Sequence, residues 1–226
     1  MLGIAIIGGK GPPSKALKEI ALRADVLVAA DSGLIAAEEA GLTPDWIVGD
    51  MDSLKEASAD DLARLDKYPQ DRVLRYPEDK DHTDTELALS LLREQGCDEI
   101  WLLGGGSDGT RENNRIDHIF ALRSLFERPS PPARWYTANE EIHCLEEGKT
   151  LTAIRTPGSP VSVFPLYAGL HPCGQGPGGL WQAESTGLKW PLDGLVWKIG
   201  DYGLSNVTLS NSFSIRSIKG RFLVIM

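Results

Sequence analysis

Val26-Leu-Val-Ala-Ala30-Asp31-Ser32-Gly33-Leu34-Ile-Ala-Ala-Glu-Glu-Ala40-Gly41, followed closely by Trp46-Ile-Val48-Gly49-Asp50, decides the fold. Val26–Ala30 is an unbroken apolar run, too short for a helix and too apolar for a half-exposed strand. It reads as a strand buried on both faces. Leu34–Ala40 has helical spacing and is closed by Gly41, a residue suited to a helix end. Trp46–Val48 is a second buried strand. Strand, helix and strand in so short a stretch make a βαβ unit, which requires parallel strands.

The same alternation extends outward. Upstream, Ile4–Ile7 ends in a Gly-Gly turn, and Ser14–Ala24 carries Ala16, Leu17, Ile20 and Ala21 at helical spacing. Downstream come a helix at Ala59–Leu65, an extended Val73–Tyr76 and a clear helix at Thr83–Glu94. A strand at Ile100–Leu103, a helix at Ile116–Phe126 and a strand at Arg134–Thr137 complete the series. The expectation is a Rossmann-like α/β domain with a parallel sheet and helices on both faces.

After about Ile142 the pattern changes. Short β-rich pieces follow at Leu151–Arg155, Val161–Pro165, Leu195–Lys198, Val207–Leu209, Phe213–Ile218 and Arg221–Ile225. Half of the 24 glycines fall in residues 145–226, which suits an antiparallel β-sandwich with many turns. A boundary near residues 138–148 divides the chain into an α/β domain, 1–142, and a sandwich, 143–226.

Charge and cysteines narrow the function. Lys plus Arg number 23 and Asp plus Glu 32, a net charge of −9. That excess argues against a nucleic-acid partner and against an anionic membrane surface. A hydrophobic fraction of 42% supplies a sizeable core and excludes disorder as a description of the whole chain. Cys97, Cys144 and Cys173 are odd in number and form no CxxC pair, so reduced thiols in a cytoplasmic protein are expected. The N-terminus lacks a basic start and a full apolar core, and reads as a first strand rather than a signal peptide. Residues 156–183 carry no charged side chain, but five prolines bar a membrane-spanning helix.

The acidic residues repeatedly follow predicted strands. Asp31 follows the second, Asp50 and Asp52 the third, and Asp79, Asp81 and Asp84 the fourth. In an open parallel sheet, ligands bind at those carboxyl ends. Carboxylates gathered there repel one another, and a bound divalent cation relieves the repulsion. Oxygen donors without a neighbouring cysteine favour Mg²⁺. Each element also has a structural reading. Asp50-Met-Asp52-Ser53 can be a turn, and Thr83-Asp-Thr-Glu86 is a capping box. Asp79-Lys80-Asp81 can be a solvated loop. Gly104-Gly-Gly-Ser-Asp-Gly109 matches a dinucleotide fingerprint only formally, and Gly8-Gly-Lys-Gly11 is not a Walker loop. Arg115-Ile-Asp117-His118 opens a helix, where a cation and backbone amides can grip phosphate.

Taken in order, Asp31-Ser32-Gly33, Gly49-Asp50-Met51-Asp52-Ser53, Asp79-Lys-Asp-His-Thr-Asp84 and Arg115-Ile-Asp117-His118 resemble the thiamine pyrophosphokinase family. So do Ser185-Thr-Gly-Leu-Lys-Trp190-Pro-Leu and Gly203-Leu-Ser205-Asn206. The resemblance spans essentially the whole chain. It implies a homodimer with active sites between subunits. The reaction implied is transfer of a pyrophosphoryl group from ATP to the hydroxyethyl oxygen of thiamine, giving thiamine diphosphate and AMP. By motif match, Asp50, Asp52 and Asp84 would hold Mg²⁺ and carry catalysis. Asp31, Ser32, Asp79, Asp81, Thr83, Arg115 and Asp117 would serve ATP, and His118, Trp190, Ser205 and Asn206 thiamine. One departure is Asn113-Asn114-Arg115, where the family usually reads Gly-Gly-Arg. Two other functions fit the same residues: transfer to another small alcohol, and a non-catalytic nucleotide or thiamine sensor. Intact Asp50, Asp52 and Asp84 argue against the sensor.

Overall fold

The computed structural model describes residues 1–51, 64–77, 79–107, 116–167 and 181–226. It divides into two compact units. One comprises Met1–Phe120 and Arg134–Asn139, the other Ala121–Ala133 and Glu140–Met226.

In the first unit six strands pair in parallel. They are β1 (Leu2–Ile6), β2 (Val26–Ala30), β3 (Trp46–Gly49), β4 (Val73–Arg75), β5 (Glu99–Leu103) and β6 (Arg134–Tyr136). Their order is β6-β5-β1-β2-β3-β4. All five residues of β2 are buried, as a strand covered on both faces must be. Helices α2 (Gly33–Glu39) and α3 (Asp84–Glu94) supply that cover, both against β1 and β2, and α1 (Ser14–Ala21) packs against α2. Helix α4 (Ile116–Leu125) follows β5. The helix expected at Ala59–Leu65 lies outside the described residues except for its last two, which open a 3₁₀ turn at Arg64–Lys67.

The strand order reverses between β1 and β5, the position where open α/β sheets form a crevice. Here that position is filled by backbone. The Gly105 amide donates to the Gly8 carbonyl at 2.8 Å, and Lys10 and Gly106 exchange bonds of 2.7 and 3.0 Å. A Cβ on Gly104 would stand 2.2 Å from the Ile7 carbonyl oxygen. The glycine run after β5 is therefore explained by this close packing, without a dinucleotide.

The second unit is a sandwich of two antiparallel sheets, as the turn-rich pattern predicts. One runs β11 (Gly203–Val207), β9 (Pro160–Leu166), β13 (Arg221–Ile225), β7 (Glu141–Leu145); the other β10 (Gln182–Thr186), β12 (Ser212–Lys219), β8 (Thr150–Ile154). Val161, Val163, Phe222 and Val224 from the first sheet meet Ala183, Phe213 and Ile215 from the second, with Trp181 and Trp197 buried among them. Four strands differ from the sequence reading: β7 is one it does not contain, β11 ends at Val207 where a strand at Val207–Leu209 is expected, and the other two lie between residues 182 and 198. Leu195–Lys198 is no strand: Trp197 makes a single bridge to Trp181. Conversely, Gln182-Ala-Glu-Ser-Thr186 pairs as β10 although only Ala183 is buried. Its polarity hides it from a search for apolar alternation.

Candidate active site

Three elements of the first unit bring carboxylates together. Asp31 immediately follows β2 with a left-handed backbone, φ +46°. Its amide donates to the Val48 carbonyl at 2.9 Å, its own carbonyl accepts from Leu34, and its side chain is buried. Asp50 follows β3. Asp84 opens α3, where the capping box holds the helix start in place. The Thr83 hydroxyl accepts from the Glu86 amide at 3.2 Å, and Glu86 Oε2 accepts from the Thr83 amide at 2.8 Å. Gly49 lets these elements converge. A Cβ there would lie 3.2 Å from both Asp31 Cβ and Asp84 Oδ1, and its φ of +147° already disfavours a side chain. Met51, also left-handed, buries its side chain against Ala29, Ile47 and Leu65 and pins the turn that carries Asp50.

Lys80 joins the carboxylates. Its ammonium donates to Asp50 Oδ2 and stands 3.1 Å from Asp84 Oδ1. The side chains are sheltered: Lys80 is 13% exposed, Asp50 9% and Asp84 24%. Burial pushes the Asp84 carboxyl above its ordinary pKa, and the charges of Asp50 and Asp31 add to the rise, while Lys80 opposes it. Burial would lower the Lys80 ammonium, but the Asp50 and Asp84 carboxylates outweigh it and the net direction is up.

This donor set suits Mg²⁺. One cationic group already touches carboxylates from two separate elements, and both are hard oxygen donors. Among the described residues no three His, Cys, Asp or Glu side chains form a metal-holding group. Asp52 and Arg115 lie outside the described residues. Asp79 and Asp81 are exposed beside Lys80, and Thr83 is committed to its cap. Ser32 is half-buried next to Gly8, where a Cβ would stand 2.5 Å from its hydroxyl. Asp117 and His118 sit exposed in the first turn of α4.

The second unit holds Trp190, Ser205 and Asn206. Trp190 is 54% exposed, whereas Trp181 and Trp197 are buried. Its backbone is clamped by Asn206. Oδ1 of Asn206 accepts from the Trp190 amide at 3.1 Å, and Nδ2 donates to the Trp190 carbonyl at 2.6 Å. The segment before it is equally determined. Ser185 Oγ accepts from the Leu192 amide at 3.0 Å, Leu188 is buried, and a Cβ on Gly187 would stand 2.5 Å from the Ser212 carbonyl oxygen. Ser205 adopts φ +56° where β11 slips register against β9. Trp190 and Asn206 line an open groove of about 560 Å³ with Leu195, Val196, Tyr202 and Leu204. The Lys189 ammonium lies 4.6 Å from the centre of the Trp190 ring.

Sequence reasoning missed the positioning roles of Lys80 and Gly49, and the apolar groove lining. A single lysine inside Asp79-Lys-Asp-His-Thr-Asp84 was the available signal for Lys80. The groove had none, because its lining comes from turns rather than from a periodic element.

Comparison with known proteins follows the same lines. The family model described as "Thiamin pyrophosphokinase, catalytic domain" matches residues 17–131, just over half of the chain. No curated protein sequence matches. Among solved structures, a thiamin pyrophosphokinase family protein from Enterococcus faecalis superposes with a TM-score of 0.72 at 19% identity, covering 100% of this chain and 98% of its own. Thiamine pyrophosphokinase from Bacillus subtilis gives 0.69 at 19% identity, covering 99% and 97%. Thiamin pyrophosphokinase from Candida albicans gives 0.67 at 17% identity, covering 99% and 89%. At these identities the structures speak for the fold, and the family model for membership. The chain belongs to the thiamin pyrophosphokinase family and is an enzyme of that family.

Proposed function

We propose that the protein transfers a pyrophosphoryl group from ATP to the hydroxyethyl oxygen of thiamine, releasing AMP and thiamine diphosphate, with Mg²⁺ as cofactor. One observation carries this reading: Asp50 and Asp84, from separate elements, converge on a single cationic group at the carboxyl end of a parallel sheet, and Asp31 adds its negative charge beside Asp84. In this reading residues 1–142 bind nucleotide and metal, and residues 143–226 bind thiamine. Asp50 and Asp84, with Asp52, hold Mg²⁺, which when bound neutralises phosphate oxygens as charge shifts between them. Asp31 keeps the edge acidic and the β2 turn fixed. Ser32, Asp79, Asp81, Thr83, Arg115 and Asp117 border the nucleotide.

Trp190 offers an indole face to the cationic thiazolium ring, with Ser205 and His118 as polar contacts. Asn206 acts through Trp190: its amide is occupied by the Trp190 backbone, so it positions the indole. A homodimer with active sites between subunits agrees with a groove whose Trp190, Leu195, Tyr202 and Leu204 are exposed apolar groups. Cytoplasmic residence accompanies this reading, and no helix among the described residues is long and apolar enough to cross a membrane.

Incubation with ATP, Mg²⁺ and thiamine, followed by chromatography, tests the proposal. Equal amounts of AMP and thiamine diphosphate are expected. Nucleotide binding with no product would leave a sensor. Product only with another alcohol would reassign the second substrate.

A further inference from the structure

Lys80 is the residue of this site that the proposed chemistry does not yet use. Its ammonium is sheltered at 13% exposure and reaches both Asp50 and Asp84. Asp31 adds a third negative charge to the same edge. A cation of some kind is required there, because like charges this close and this sheltered repel strongly. The chain supplies one of its own, on a short stretch between the exposed Asp79 and Asp81. An ammonium and a divalent cation cannot share the same two oxygens, since their own repulsion would exceed what either gains.

We propose that Lys80 is an exchangeable counter-ion: it holds the Asp50–Asp84 pair, competes with the divalent cation for those two carboxylates, and, once displaced, pairs with an anionic oxygen of the nucleotide. The proposal rests on the reading of this edge as the metal site. It makes Lys80 a positioning residue with a double effect. Metal binding is weakened when no nucleotide is present, and nucleotide binding is strengthened when metal is present. The edge is thereby kept from collecting divalent cation without its substrate. A lysine that serves only as a structural ion pair has neither signature. Its loss would loosen the turn before α3 and weaken both ligands together.

The test is Mn²⁺ binding by electron paramagnetic resonance on the full chain without nucleotide, paired with the KM for ATP at saturating Mg²⁺. The chains compared are wild type, Lys80→Met, Lys80→Arg and Asp84→Asn. Lys80→Met is expected to bind Mn²⁺ roughly 10-fold more tightly, from loss of one competing charge in a sheltered site. Its KM for ATP is expected to rise by roughly 5- to 20-fold, from loss of one charge-assisted contact. Lys80→Arg keeps the charge and should show no tightening. If Lys80→Met melts too low to titrate, Lys80→Gln, which keeps a polar head without charge, is read in the same way. Unchanged or weaker Mn²⁺ binding in the neutral variant overturns the exchange. So does tighter Mn²⁺ binding with an unchanged KM for ATP. Asp84→Asn separates the two levels. If it leaves Mn²⁺ affinity at the wild-type value, the edge is not the metal site, and the proposal falls together with the reading beneath it.

Discussion

The carboxylate edge of the first unit and the aromatic groove of the second present the same problem in two forms. Each attracts cations, and each carries a lysine of the chain on the attracting groups. Lys80 is sheltered and touches two carboxylates. Lys189 is exposed and lies over one indole face. Charge–charge contacts in a sheltered site are worth several times a solvated cation–π contact, which contributes about 0.5–1 kcal/mol. The edge is therefore a site whose geometry is fixed by charge, and the groove a surface whose cation is easily exchanged. Changes at the edge should be felt in turnover, and changes at the groove in affinity for one substrate.

The largest effect should come from the edge. Asp50→Asn or Asp84→Asn is expected to lower kcat/KM by at least roughly 100-fold, since the proposed metal contributes several kcal/mol of charge stabilisation. The fold should survive. Asp84 is ionised at a cost in this environment, and its neutral replacement relieves repulsion with Asp50 and Asp31. Steady-state kinetics and a thermal melt check both halves. Near-normal turnover of both variants at limiting Mg²⁺ would remove the contrast between the two regions.

The groove comes next. An indole face on a desolvated cation contributes about 1–2 kcal/mol, so Trp190→Ala should raise the thiamine KM by roughly 5- to 30-fold and change the ATP KM much less. Trp190→Phe should be milder. A sharply lowered melting temperature with an unchanged thiamine KM would make Trp190 a packing residue. That outcome is unexpected for a side chain 54% exposed on a backbone already clamped by Asn206.

Acid should separate the units. Glu141 is held down to about 2, first by the hydrogen bond from His143, with burial opposing and Arg155 adding to the depression. A depressed carboxyl stabilises the fold above its unfolded value of 4.5, and that contribution is lost as pH falls from 4.5 towards 2. Asp84 has the opposite sign. Its pKa is raised, so protonation relieves a cost and the first unit gains from it as pH falls towards the ordinary carboxyl range. Amide exchange at pH 3 against pH 6 should show β7 and β8 losing protection before β2 and β3. Loss in the reverse order would contradict the assignment. The smallest effect should be Lys189→Ala. Removing a competing cation from Trp190 should lower the thiamine KM by roughly 2-fold, and a rise instead would show that Lys189 supports the ring.

How much was legible in the sequence follows the same division. Val26–Ala30 and Trp46–Val48 are apolar because both faces of the sheet are covered, so their chemistry announces their place. Strand ends follow from strands, and with them Asp31 and Asp50, while Asp84 follows from the helix start. The capping box at Thr83–Glu86 was legible because it is local. Lys80 was not. Its meaning depends on Asp50, thirty residues away, and a lysine between two aspartates reads as solvated until the distance is known. Asn206 was legible as part of a motif but not in its role. Only the two bonds to the Trp190 backbone show that its amide is occupied by the chain itself. β10 stayed hidden because tertiary pairing with β12, not its own pattern, makes it a strand.

The central claim is that the carboxylate edge carries pyrophosphoryl transfer to thiamine, and isotope transfer tests it most directly. ATP labelled at its β-phosphorus is supplied with Mg²⁺ and thiamine to the wild-type chain and to folded Asp84→Asn. The expected result is label wholly in thiamine diphosphate, unlabelled AMP in equal amount, and near-complete loss of both products in the variant. Label retained in ADP beside thiamine monophosphate, or full transfer by Asp84→Asn, would contradict it.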